Sequence, residues 1–87
     1  MKIGENRLTK KINGHYTVPD EEIKNAVQRL GAFEDAFENL MNAREQIPKD
    51  LENLRAQGKE KTVTYKEKMA EKLINNSVAM FFEKHGL

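Results

Sequence analysis

Residues 23–54, IKNAVQRLGAFEDAFENLMNAREQIPKDLENL, place apolar side chains at alternating steps of three and four: Ile23, Ala26, Leu30, Phe33, Phe37, Leu40, then Ile47, Leu51 and Leu54. Only Arg44 breaks the series. That period predicts a long α-helix whose apolar stripe faces another surface. Between residues 23 and 41 the stripe is widened by Val27, Ala36 and Met41. Such width suits a globular core face better than the two-in-seven seam of a coiled coil. Gly31 inside it costs about 1 kcal/mol relative to alanine, which predicts either a close approach of another backbone or a weakened helix. Pro48 removes one hydrogen bond and presses on the carbonyl of Arg44. The period nevertheless continues past it, so the expectation is one helix over residues 20–57, kinked or tightly broken near Pro48.

Outward from this helix, the N-terminal side reads as a β-hairpin over residues 7–18. Asn13-Gly14 is the strongest two-residue turn signal, since a type I′ turn needs positive φ at both positions. A two-residue turn pairs Ile12 with His15 and Lys11 with Tyr16, which leaves neither face cleanly apolar. The hairpin is therefore expected to pack on a helix, because an isolated one is marginal in water. Pro19, Asp20, Glu21 and Glu22 then start the long helix, proline fitting the first turn and the carboxylates complementing the positive end of its dipole.

On the C-terminal side, Gly58 ends the long helix. Thr64-Tyr65-Lys66-Glu67 fits a capping box and opens a short helix over residues 64–75 with Tyr65, Met69 and Leu73 on one face. Asn75-Asn76 is expected to interrupt it, and Ser77 to cap a last short helix over residues 77–85 carrying Val78, Phe81 and Phe82. The fold class expected is mainly α, one domain over residues 1–87: a small N-terminal hairpin, a long helix and two short C-terminal helices.

At 87 residues the chain is a single domain at most, and one of this size buries only roughly 60–65% of its unfolded surface. Apolar residues make up 38% and charged residues 33%, which suits a solvated helical protein that gains core by oligomerising. There is no cysteine, hence no disulfide framework or thiolate ligand, a composition that fits a reducing cytosol. No stretch approaches the apolar run of a membrane span, and the N-terminus has no leader-like apolar region. The expected location is thus cytoplasmic, and the Asn75-Asn76-Ser77 glycosylation match is read as accidental.

Net charge is +1 but unevenly spread. Residues 1–19 hold four basic groups and one acid, residues 20–47 three and seven, and residues 48–87 eight and six. This is not the strongly basic balance of a dedicated nucleic-acid binder. A helix-turn-helix reading of the two C-terminal helices would place Ser77, Val78, Ala79 and Met80 where base contacts are made, with feeble electrostatics; nucleic acid is not the expected partner. His15 and His85 lie at opposite ends of the chain, without the spacing of a metal pair. No phosphate loop, nucleophile elbow or catalytic triad pattern is present. The chain is expected not to be an enzyme, with no catalytic residue, cofactor or metal.

Glu34, Asp35 and Glu38 form an acidic patch off the apolar stripe, either a solvated helix face or a docking surface for a basic partner. A helix of 38 residues would extend about 57 Å, too far for 87 residues to cover. The hairpin and C-terminal helices are expected to cover residues 23–41, leaving Ile47, Leu51 and Leu54 bare. The expected partner surface is therefore Glu34, Asp35, Glu38, Arg44, Ile47, Leu51 and Leu54.

The segments Asn6-Arg7-Leu8-Thr9, Asn13-Gly14-His15-Tyr16 and Arg29-Leu30-Gly31-Ala32-Phe33-Glu34-Asp35, with the tail from Lys61-Thr62-Val63 to His85-Gly86-Leu87, resemble small proteins of prophages and mobile elements of Firmicutes. Together they span most of the chain, and they carry no catalytic motif. The resemblance implies a phage-type accessory protein that binds a larger host protein, an anti-CRISPR-like inhibitor of a defence nuclease being one such role. The alternatives are a homodimeric scaffolding module and a weak nucleic-acid-binding regulator.

Overall fold

The computed structural model describes residues 7–87. Residues 1–6, which include Asn6 of the resemblance and the stretch expected to lack a leader, lie outside the described residues. In chain order come strands β1 (Lys10–Ile12) and β2 (His15–Thr17), a single 3-10 turn (Asp20–Glu22), and helices α1 (Ile23–Ala56) and α2 (Val63–Lys84). The mainly helical class with a small antiparallel hairpin is as expected. Two compact units divide at residues 35 and 36.

In the first unit, Asn13 and Gly14 both adopt positive φ, 51° and 81°, as a type I′ turn requires. The register is the expected one: Ile12 opposite His15, Lys11 opposite Tyr16, Lys10 opposite Thr17. Each strand has only three residues, all exposed. The Tyr16 ring is flanked by cations, with Lys11 Nζ 5.6 Å and Arg7 Cζ 5.7 Å from its centroid. Ile23, Val27 and Leu30 on α1 remain 49–61% exposed, so the expected cover over this part of the stripe is missing. The reason is size and pattern: three-residue strands with no apolar face cannot bury a helix. No neighbour lies within 4 Å of a Cβ placed on Gly31. The helix simply continues through this glycine at a cost in propensity.

In the second unit α1 also continues through Pro48. Gly58, at φ 70°, ends it in a Schellman motif: Lys59 N–H donates to the Leu54 carbonyl at 2.8 Å and Gly58 N–H to that of Arg55 at 2.9 Å. The cap of α2 is Thr62, two residues earlier than expected, its hydroxyl oxygen accepting from Tyr65 N–H at 3.2 Å.

Two expectations are overturned in α2. It is one helix of 22 residues, not two short ones, and no turn forms at Asn75-Asn76, so no helix-turn-helix exists there. Asparagine lowers helix propensity by only a few tenths of a kcal/mol, and Asn76 Oδ1 is held by Arg44 Nε at 3.2 Å. The inward face also differs from the expected one. Pairs ascend α1 as they descend α2: Phe37 with Phe82, Arg44 with Asn76, Asp50 with Lys68 and Arg55 with Tyr65. This antiparallel register turns Tyr65, Met69, Lys72, Asn75, Asn76 and Ala79 inward, while Leu73 points outward.

The fully buried side chains among the described residues are Ile47, Leu51 and Ala79, at 3%, 1% and 0% exposure. Leu51→Ala should therefore cost about 2–5 kcal/mol. Gly31→Ala should instead raise stability by about 0.5–1 kcal/mol. Urea denaturation followed by circular dichroism reads both.

Candidate protein-interaction surface

The residues expected to form a partner surface divide sharply. Ile47 and Leu51 are the centre of the core and Leu54 is half-buried, so the expectation that they lack intramolecular cover is corrected. Helix α2 lies along α1 from Phe37 to Arg55 rather than over residues 23–41, with Tyr65, Lys68 and Asn76 paired to Arg55, Asp50 and Arg44. Arg44 is turned toward α2, where Nε donates to Asn76 and Nη1 lies 3.6 Å from Glu83 Oε1. Glu34 and Asp35 are exposed in the first unit, and Glu38 is exposed in the second.

Polar groups finish the seam between the helices of the second unit. Asp50 Oδ1 accepts from Gln46 Nε2 at 2.9 Å, and Oδ2 lies 3.3 Å from Lys68 Nζ. The Gln46 amide first, and the Lys68 ammonium next, hold the Asp50 carboxyl below its ordinary value. Arg55 Nε donates to the Tyr65 hydroxyl at 2.7 Å, with its guanidinium 5.7 Å from the Tyr65 ring centre. At the far end Phe37 meets Phe82 edge-on at 5.9 Å.

What this packing leaves outside is more apolar than much of what it turns in. Leu73, Ile74, Met80 and Phe81 on α2 are each 57–62% exposed. At 100° per residue they occupy, with Ala70 and Ser77, the face opposite Ala79. Phe81 keeps ring contacts with Phe82 at 5.8 Å and His85 at 5.0 Å, which hold it without covering it. Sequence reasoning missed this face because it grouped Leu73 with Tyr65 and Met69, and Phe81 with Val78 and Phe82, on the faces of two separate helices. The available signal was Asn75 and Asn76: their amides suit an arginine-bearing partner face, and placing them inward sends Leu73 and Ile74 outward.

In the first unit a groove of ≈ 490 Å³ is lined by Arg7, Leu8, Thr9, Ala26, Arg29, Leu30 and Phe33. Among the described residues no group of three His, Cys, Asp or Glu could hold a metal ion, and no helix is long and apolar enough to cross a membrane.

The lowered Asp50 value carries a pH dependence. A carboxyl whose folded-state value is depressed adds stability that is present above its unfolded value and lost as pH falls through the folded one. Stability should thus decline as pH drops below about 3.8, and Asp50→Asn should flatten that part of the curve. Denaturation midpoints of the two chains between pH 6 and pH 2 measure the difference.

No protein-family model, curated protein or solved structure matches this chain.

Proposed function

We propose that this protein is a non-catalytic protein-binding module whose contact surface is the outer face of α2. The observation that carries this reading is the exposure of Leu73, Ile74, Met80 and Phe81 on one side of a well-packed helix. Large apolar side chains gathered on one face mark interaction sites in soluble proteins. Phenylalanine and methionine are also among the residues enriched in interface cores. The recognition mode is a helix face laid against a complementary apolar surface, anchored by Leu73 and Ile74 and, two turns on, by Met80 and Phe81. The resemblance to phage accessory proteins adds the class of partner: a larger bacterial host protein, whose activity the bound chain blocks. An anti-CRISPR-like inhibitor is the specific form of that reading. Self-assembly is the second reading, favoured by charges that flank the face.

Leu73→Asp with Phe81→Asp tests the surface. Both side chains are exposed, so the double variant should keep its helicity and unfold within about 1 kcal/mol of the parent. Its capture of host proteins from an extract, and of untagged copies of itself, should fall at least tenfold. An unchanged set of captured proteins overturns the proposal.

A further inference from the structure

We infer that the outer face of α2 is covered by a second copy of this chain, which presents to it the Ile23–Val27–Leu30 face of its own α1. This rests on the reading of the outer face of α2 as a contact surface and takes up its self-assembly form. Three observations point to it.

The two faces share one register. Ile23, Val27 and Leu30 follow each other at i, i+4 and i+7, and so do Leu73, Ser77 and Met80. Helices with matched spacing can interdigitate their side chains as ridges and grooves. All three α1 side chains and the apolar ones of α2 are about half exposed or more.

The ends of the two faces carry opposite charge. On the line of the α1 face, Asp20 lies one step before Ile23 and Glu34 one step after Leu30. On the line of the α2 face, Lys66 precedes Ala70 and Lys84 follows Met80. All these groups except Ile23, Leu30, Ala70 and Met80 are charged, and all four charges are exposed. From Lys66 to Lys84 the helix rises about 27 Å, and from Asp20 to Glu34 about 22 Å. A lysine stem at either end spans the difference. Two α2 faces brought together would set lysine against lysine, and two α1 faces acid against acid. Lysine ends thus select the acid-ended face, a choice made by repulsion as much as attraction.

The chain also has little core of its own. Three buried side chains among the described residues are a thin core, and small domains in that position commonly gain burial by association. Each copy carries both halves of the contact.

Sedimentation equilibrium between micromolar and millimolar concentration tests the proposal. The parent chain should show a mass that rises above the monomer. Lys66→Glu with Lys84→Glu gives a chain with acid ends on both faces, and Asp20→Lys with Glu34→Lys gives one with lysine ends on both. Each alone should associate at least tenfold more weakly, and an equimolar mixture should regain the parent's association. Glu34→Lys by itself, distant from the helix start, serves if Asp20→Lys lowers helicity. A parent mass that stays monomeric overturns the inference, as does an unrestored mixture or a charge reversal without effect. A monomeric parent whose Leu73→Asp, Phe81→Asp variant still loses a captured host protein would overturn self-pairing alone. A variant that loses nothing would overturn the binding face as well.

Discussion

The seating of α2 along the Phe37–Arg55 stretch of α1 is the constraint on which the second unit depends. Leu51 has 1% of its surface exposed and Ala79 has none. Ala79 is buried toward the Phe37–Phe82 end of the seam, and Ile47 and Leu51 are buried farther along it, between the Arg44–Asn76 and Arg55–Tyr65 pairs. The paired polar groups set the register. A shift of α2 by one residue would turn its whole inner face by about 100°, and would part Asn76 from Arg44, Lys68 from Asp50 and Tyr65 from Arg55 at once. Individually such surface pairs contribute little. Their collective effect is to make one alignment preferable to its neighbours, a matter of specificity more than of total stability.

Much of the fold was legible because local rules decided it. Asn13-Gly14 specified the turn, and the strand register followed from a two-residue connection. Pro19 and the acidic triplet marked where helix begins, and Gly58 and Gly86 marked where each helix stops. The apolar period continuing past Arg44 and Pro48 pointed to one direction for the long helix, while its continuity through Gly31 and Pro48 was left to the structure. What local rules could not decide was which face of α2 turns inward. Tyr65, Met69 and Leu73 lie within one arc of the helix, and a choice between Leu73 and Lys72 as the inward residue is a tertiary matter. With the C-terminal helices assigned to cover residues 23–41, Ile47 and Leu51 look bare, whereas residues 65–76 of α2 lie along residues 44–55 of α1. That misplaced register displaced the expected interaction surface from α2 to α1.

Arg44 shows the same effect on a single residue. Within the apolar series it is an interruption, and an interruption in a stripe suggests exposure. In the structure it lies between Asn76 and Glu83 with its stem along the seam, as long cationic side chains do when apolar methylenes are covered and the charged head reaches polar partners. Its partners are 32 and 39 positions away in the chain, beyond the range of any helical spacing rule.

The polar character of the inner face is what gives the outer one its meaning. Burial of apolar area is favourable by about 25 cal/mol per Å², so hydrophobicity alone would have turned Leu73, Ile74 and Phe81 against α1. Instead α2 turns Lys68, Lys72, Asn75 and Asn76 toward the seam, where Asp50 and Arg44 offer matched partners to two of them. Rotating α2 by half a turn would turn Leu73, Ile74 and Phe81 toward α1, but it would part Arg44 from Asn76 and Asp50 from Lys68 at once, so the paired groups favour the observed alignment. The sequence of α1 therefore holds the apolar face of α2 outward. Polar pairing on the inner face and apolar exposure on the outer one are thus two sides of a single alignment of α2.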